Sequence, residues 1–143
     1  MIVALMLGRE GSVGFPGKNT HPVLGRPLMT YPLLAAKASR LVEHIYVSTD
    51  SEKVKSIALE HGVHIIERPP ELATQEALGE DAYVHGFRYI RDTLGQSVEL
   101  LVLLFCNAPT LLGKTIDEGI RALQENPSLD SAVTVSAYNM WSP

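Results

Sequence analysis

Leu100–Phe105 reads as one strand, and Ile2–Leu7 is an unbroken apolar run of the kind found in strands buried on both faces of a sheet. Shorter runs at Ile45–Val47, Val63–Ile66 and Ser131–Ser136 bring the predicted strands to five. Helical spacing fills the gaps. Leu28–Ser39 is amphipathic, with Pro32 in its first turns, where a missing N–H matters least. Thr49-x-x-Glu52 reads as a capping box opening a helix to about His61, stopped at Gly62. A third helix runs from about Leu78 to Thr93 and stops near Gly95. Thr115-x-x-Glu118 opens a fourth, which ends before Asn126-Pro127.

Strand–helix alternation predicts a three-layer α/β/α sandwich around a mainly parallel, Rossmann-like sheet. Ligands of such sheets sit beyond the carboxyl ends of the strands, which singles out the loops 8–27, 48–51, 67–77 and 106–114.

The 143 residues are 45% hydrophobic and 20% charged, which suits a single domain. One cysteine excludes an internal disulfide framework and a cysteine-rich zinc knot. No apolar run reaches the ~18–20 residues of a membrane span. The apolar N-terminus lacks a cationic stretch before it and a small-residue cleavage site after it, so it reads as a strand rather than a signal peptide. The expected compartment is a reducing cytoplasm. Net charge is -4, against nonspecific nucleic-acid binding. Its distribution is uneven: Arg9, Lys18, Arg26, Lys37 and Arg40 face only Glu10 in the first 40 residues, whereas residues 71–143 carry a surplus of acids. A basic loop on an acidic chain suggests a local anionic ligand.

That loop follows the first strand. Gly8, Gly11, Gly14 and Gly17 recur at every third position, flanked by Arg9 and Lys18. Glycines let backbone N–H groups approach an anion, and the two cations add charge from both ends. The dinucleotide pattern G-x-G-x-x-G is absent, and the P-loop pattern would need Gly at Ser12 and Ser or Thr at Asn19.

The loop does match R-x-G-S-x-G-x-P-x-K-N over Arg9–Asn19. In this the chain resembles the cytidylyltransferases that make CMP-activated acid sugars, the CMP-sialic acid (acylneuraminate) synthetases, and more distantly the CMP-Kdo synthetases. Companions follow in order: Pro22-x-x-Gly25-x-Pro27-Leu28, Ala35-Ala36-x-Ala38-Ser39, Val47-Ser48-Thr49-Asp50 and Arg68-Pro69-x-Glu71-Leu72-Ala73. The similarity weakens after residue 105.

The resemblance implies a nucleotide-diphospho-sugar transferase-like fold and transfer of CMP from CTP to an acidic keto-sugar, with release of pyrophosphate. Arg9 and Lys18 would hold the triphosphate, Lys18 stabilising charge developing on the α-phosphate. Gly11, Ser12 and Asn19 would shape the loop and contact the nucleotide. Arg68 and the stretch Ala73–Gly79, Ala77 within it, would border the cytidine, and Asn107 would face the sugar. Magnesium would bridge the phosphates, its protein ligands unknown. A homodimer is implied as well, as is a longer catalytic unit of which residues 1–143 form the N-terminal part.

The sequence also departs from the family. Glu10 and Val13 stand where small or neutral residues and Lys are usual. Where sialic acid synthetases resemble L-Q-P-T-S-P-L-R, this chain has Leu104–Leu111, with Phe105 for the Gln and Leu111 for the Arg. Of the D-E-P of CMP-Kdo synthetases, Asn107-Ala108-Pro109 keeps the proline. These departures motivate an alternative, a nucleotide-binding module without catalysis. Sugar-1-phosphate and molybdenum-cofactor nucleotidyltransferases usually read G-G-x-G-x-R, with Arg after the glycines, whereas Arg9 precedes Gly11. Ser48-Thr49-Asp50 reads either as ligand contacts or, at Thr49, as a helix cap. Cys106 reads as a small buried hydrophobe, and His61, His64 and His85 as solvated or structural. The partner of Trp141 is not legible.

Overall fold

The computed structural model describes residues 1–11, 14–95 and 97–135. Its main sheet has four parallel strands: β1 (Ile2–Gly8), β4 (His44–Thr49), β5 (His64–Glu67) and β6 (Leu100–Phe105), in the order β5-β4-β1-β6. β1 lies between β4 and β6, pairing Met6 with Val47 on one side and with Leu104 on the other. This central place explains its solid apolar run: Val3 to Met6 have no exposed surface.

The helices are α1 (Thr30–Ala38), α2 (Glu52–Glu60), α3 (Gly79–Leu94) and α4 (Gly113–Glu125). Ala4 and Met6 pack with Leu33 of α1, Val54 and Ala58 of α2, and Ile116 and Ile120 of α4. The alternate residues Val3 and Leu5 face the other way, toward Ile90 of α3. The three predicted layers are therefore present. On α3, Gly86 permits close contact: a Cβ there would stand 2.7 Å from Leu5 Cδ2.

The α1–α4 contact is comparably close, and it is made against backbone. A Cβ on Gly113 would lie 2.8 Å from the carbonyl oxygen of Ala35 and from the carbonyl carbon of Ala38. Beside it, Ser39 Oγ donates to Asp117 Oδ1 at 2.5 Å, and the Arg40 N–H meets both carboxylate oxygens at 3.1 Å. A buried α4 acid thus fixes the turn that ends α1.

Four expectations change. Ser51, not Thr49, caps α2, its side chain accepting from the Val54 N–H, while Thr49 Oγ1 accepts from the Ser51 N–H within the strand-end turn. α4 begins at Gly113, two residues before Thr115, without a side-chain cap. Residues 131–135 form no strand, because their backbone pairs with no neighbour; Val133 and Val135 are exposed. Ser136 and Trp141 lie outside the described residues. The 8–27 loop is also partly built. β2 (Pro22–Val23) and β3 (Arg26–Pro27) form a small antiparallel hairpin, steadied by Tyr31, whose hydroxyl donates to the Val23 carbonyl at 2.5 Å.

Candidate active site

Gly8 ends β1 in a crowded corner. A Cβ there would meet Val54 Cγ1 at 3.2 Å and Cys106 Sγ at 3.4 Å, so the smallest residue sits where the chain turns out of the sheet. Arg9 then reaches across to the segment after β5, and its Nη1 donates to the Thr74 carbonyl at 2.7 Å. The Glu10 N–H donates to Asp50 Oδ1 at 3.0 Å, tying the same loop to the end of β4.

The far end of the loop is anchored independently. Gly17, at φ 71°, takes a left-handed conformation that a side chain would strain, and starts a 3-10 turn over Lys18–Thr20. The Lys18 N–H donates to the Phe15 carbonyl at 3.1 Å, and the Asn19 carbonyl accepts from the Met29 N–H at 2.9 Å. Lys18 and Asn19 therefore ride on a turn fastened to the start of α1.

Arg68 leaves β5 directly, its N–H donating to the Thr49 carbonyl at 3.1 Å. Its side chain is buried, with Nη2 donating to the Ser48 carbonyl at 2.6 Å and Nε to Ser48 Oγ at 3.4 Å. Burial pushes its pKa down, and the Asp50 carboxylate is the leading charge acting the other way. The group stays a cation, since a guanidinium is not deprotonated in proteins. Arg68 takes part in none of the ion pairs among the described residues. A buried cation outside any ion pair gains from an anionic ligand.

Arg9, Gly11, Lys18, Asn19, Arg68 and Ala77 line one pocket of about 340 Å³, together with apolar Leu7, Leu72 and Ala82. Six positions singled out in sequence, from three separate segments, thus share one cavity at the carboxyl end of β1. Ser12 and Val13 lie outside the described residues. Asn107 is exposed in the turn after β6 and does not line the pocket.

Beneath this wall two titratable groups are neutral. Burial pushes Cys106 and Tyr83 each up to about 12, and the Cys106 thiol donates to the Leu7 carbonyl at 3.2 Å. Cys106 is therefore a packed thiol rather than a nucleophile. The wall carries the cations Arg9, Lys18 and Arg68 beside the neutral polar residues Asn19 and Thr74, which suits binding and charge neutralisation of a polyphosphate. Among the described residues no three His, Cys, Asp or Glu side chains converge.

Sequence reasoning included Thr74 within the stretch Ala73–Gly79 but gave it no part of its own; its carbonyl holds Arg9 and its hydroxyl accepts from the Ala77 N–H at 3.2 Å. Thr74-x-x-Ala77 is a faint side-chain-to-backbone turn signal, too common to find a site alone.

A family model described as cytidylyltransferase matches residues 3–139. The chain is 30% identical over 138 residues to the N-acylneuraminate cytidylyltransferase of Escherichia coli, covering 96% of this chain and 32% of that protein. It is 28% identical to the 3-deoxy-manno-octulosonate cytidylyltransferase of Bdellovibrio bacteriovorus, covering 92% of this chain and 49% of that one. Among solved structures, a CMP:2-keto-3-deoxy-manno-octonic acid synthetase complexed with CTP superposes with a TM-score of 0.74 at 20% identity. That match covers 90% of this chain and 49% of the other. The chain thus spans between a third and a half of the length of these relatives.

Proposed function

The chain belongs to the cytidylyltransferase family, and we propose that its pocket binds CTP and serves transfer of CMP to an acidic keto-sugar of the sialic-acid-like nonulosonate class. In that reaction the sugar's anomeric hydroxyl attacks the α-phosphorus as the bond to pyrophosphate breaks. Such a displacement needs positioning and charge neutralisation more than a covalent intermediate. The observation that carries the reading is the convergence of Arg9, Lys18 and Arg68 on one 340 Å³ pocket with Ala77 in its wall.

Each residue has a part in the proposal. Lys18, on its fastened turn, would meet the charge that develops on the α-phosphate. Arg9 would hold the outer phosphates, with Gly11, Ser12 and Asn19 shaping the cradle around them. Arg68 and Ala77 would border the base, and Asn107 would belong to the acceptor side. Magnesium, where used, would be met largely by phosphate oxygens, and the described side chains are assigned no step through it. Two copies of the full-length protein would pair, in the cytoplasm. No helix among the described residues is long and apolar enough to cross a membrane.

A second reading, nucleotide binding without catalysis, is favoured by one feature. Leu111 packs against the core and Phe105 is exposed, so neither position offers the polar group that the family resemblance leads one to expect there.

The test is incubation with each of the four nucleoside triphosphates, in Mg²⁺ or EDTA, with a panel of nonulosonates and 3-deoxy-octulosonates. Pyrophosphate and a CMP-sugar formed from CTP alone are the expected products. Turnover with ATP or GTP but not CTP would overturn the cytidylyl reading, and CTP binding without turnover on any sugar would favour the second.

A further inference from the structure

Asp50 is the anomaly of this region. It places a carboxylate beside a loop read as a polyphosphate cradle, where negative charge opposes the ligand. Yet it does not line the pocket. It stands behind the wall, at the exit of β4, between Thr49, which is buried and hydrogen-bonded into the turn, and Ser51, which caps α2. Strand and helix together fix its backbone. From there Oδ1 accepts the Glu10 N–H at 3.0 Å.

The loop it holds has few other ties. From Arg9 to Gly11, the hydrogen bonds to the rest of the protein among the described residues are the Arg9 side chain on Thr74 and this Glu10 bond. The Arg9 contact uses a group that a phosphate would recruit, whereas the Asp50 contact uses a backbone N–H beyond Arg9 and before Gly11. It can persist with ligand bound. Gly11 is exposed, and a Cβ built on it would meet nothing within 4 Å.

We propose that Asp50 is a positioning residue of the nucleotide site: by accepting the Glu10 N–H it fixes the backbone between Arg9 and Gly11 in the conformation that cradles the phosphates. The carbonyl-like oxygen does the work, and the negative charge is incidental to it. This rests on the CTP-binding reading of the pocket. A preorganised loop loses less freedom on binding, so the bond is worth affinity without touching the ligand.

The two contributions separate by substitution. Asp50→Asn keeps an oxygen for the Glu10 N–H and removes the charge, whereas Asp50→Ala removes both. CTP titration of the full chain by calorimetry, with hydrogen exchange at the Glu10 amide of the free protein, reads each. For Asp50→Ala the expectation is faster Glu10 exchange and CTP binding weakened on the order of ten-fold, as the loss of one hydrogen bond implies. For Asp50→Asn the expected binding is as tight as wild type or tighter, because a repelling charge is gone. Asp50→Asn as weak as Asp50→Ala would show that charge, not the acceptor, matters, and would overturn the proposal. So would unchanged binding in Asp50→Ala. If Asp50→Ala does not fold, Asp50→Asn still decides: affinity at or above wild type supports the proposal, and a loss overturns it. Wild-type protein that binds no CTP would instead overturn the reading of the pocket.

Discussion

Arg9 Nη1 donates to the Thr74 carbonyl at 2.7 Å, joining the loop after β1 to the segment after β5 across the mouth of the pocket. Sixty-five positions separate the two residues along the chain. A guanidinium carries five N–H groups in a rigid fork, so this bond leaves donors for a phosphate. The two sides of the pocket are thus connected through a cation that belongs to the proposed site.

Lys18→Ala is expected to lower kcat/KM about 100-fold or more in the full-length enzyme, through lost stabilisation of charge in the transition state. Lys18 is half-buried on an anchored turn and makes no ion pair among the described residues, so Tm should barely move. Steady-state pyrophosphate release and a thermal melt check both halves. Near wild-type turnover would make Lys18 an ordinary surface lysine.

Two glycines of α4 should behave oppositely. Gly113→Ala drives a methyl to 2.8 Å from the α1 backbone and should destabilise the fold by about 1–3 kcal/mol despite the better helix propensity of Ala. Gly119→Ala meets nothing nearer than 3.9 Å, and should be neutral or stabilise by up to about 1 kcal/mol. Urea denaturation of both variants measures the contrast, and equal effects would show that the α1–α4 contact is looser than described.

Acid should release the Ser39–Asp117 clasp. The Ser39 hydroxyl and the backbone N–H of Arg40 hold the Asp117 carboxyl below the 3.8 of a free one. The folded value is depressed, so the contribution to stability is fully present above 3.8 and lost as pH falls through the folded value. Wild type should therefore exceed Asp117→Asn in stability by a constant margin near neutrality. That margin should shrink in strong acid, which denaturation at a series of pH values will show. A gap independent of pH would mean that Asp117 acts by shape alone.

Cys106 should react only through unfolding. Its pKa of about 12 and its burial leave almost no accessible thiolate at pH 8. The rate of labelling by a thiol reagent should rise across the denaturation transition. Fast labelling of native protein would contradict the packing at Gly8.

Much of this was readable in one dimension because burial writes itself into the pattern. β1 is buried along nearly all its length and reads as a continuous apolar run, and Gly95 ends α3 in a left-handed conformation as its position suggests; the equally apolar β6, by contrast, leaves Leu103 and Phe105 exposed. Reading failed where several residues could play one part. Ser48-Thr49-Asp50-Ser51 offers four capping side chains in succession, and the backbone path off β4, not the motif, selects Ser51. Val133 and Val135 carry strand-forming side chains, yet a strand also needs a partner backbone. For the site, the sequence marked Arg9, Lys18, Arg68 and Ala77 but not their juxtaposition. That depends on β5 lying two places from β1 on the β4 side, an order that alternation alone leaves open.

The same strand order dictates when the sheet can be finished during synthesis. β1 emerges first yet belongs in the middle, and one of its edges waits for Leu100 to pair with Ile2. Until β6 has been made, the most apolar strand keeps an unpaired edge, so its completion is a long-range closure. Such closures slow folding and leave a sticky intermediate exposed. A ribosome pausing before residue 100 would hold the chain in its most aggregation-prone state.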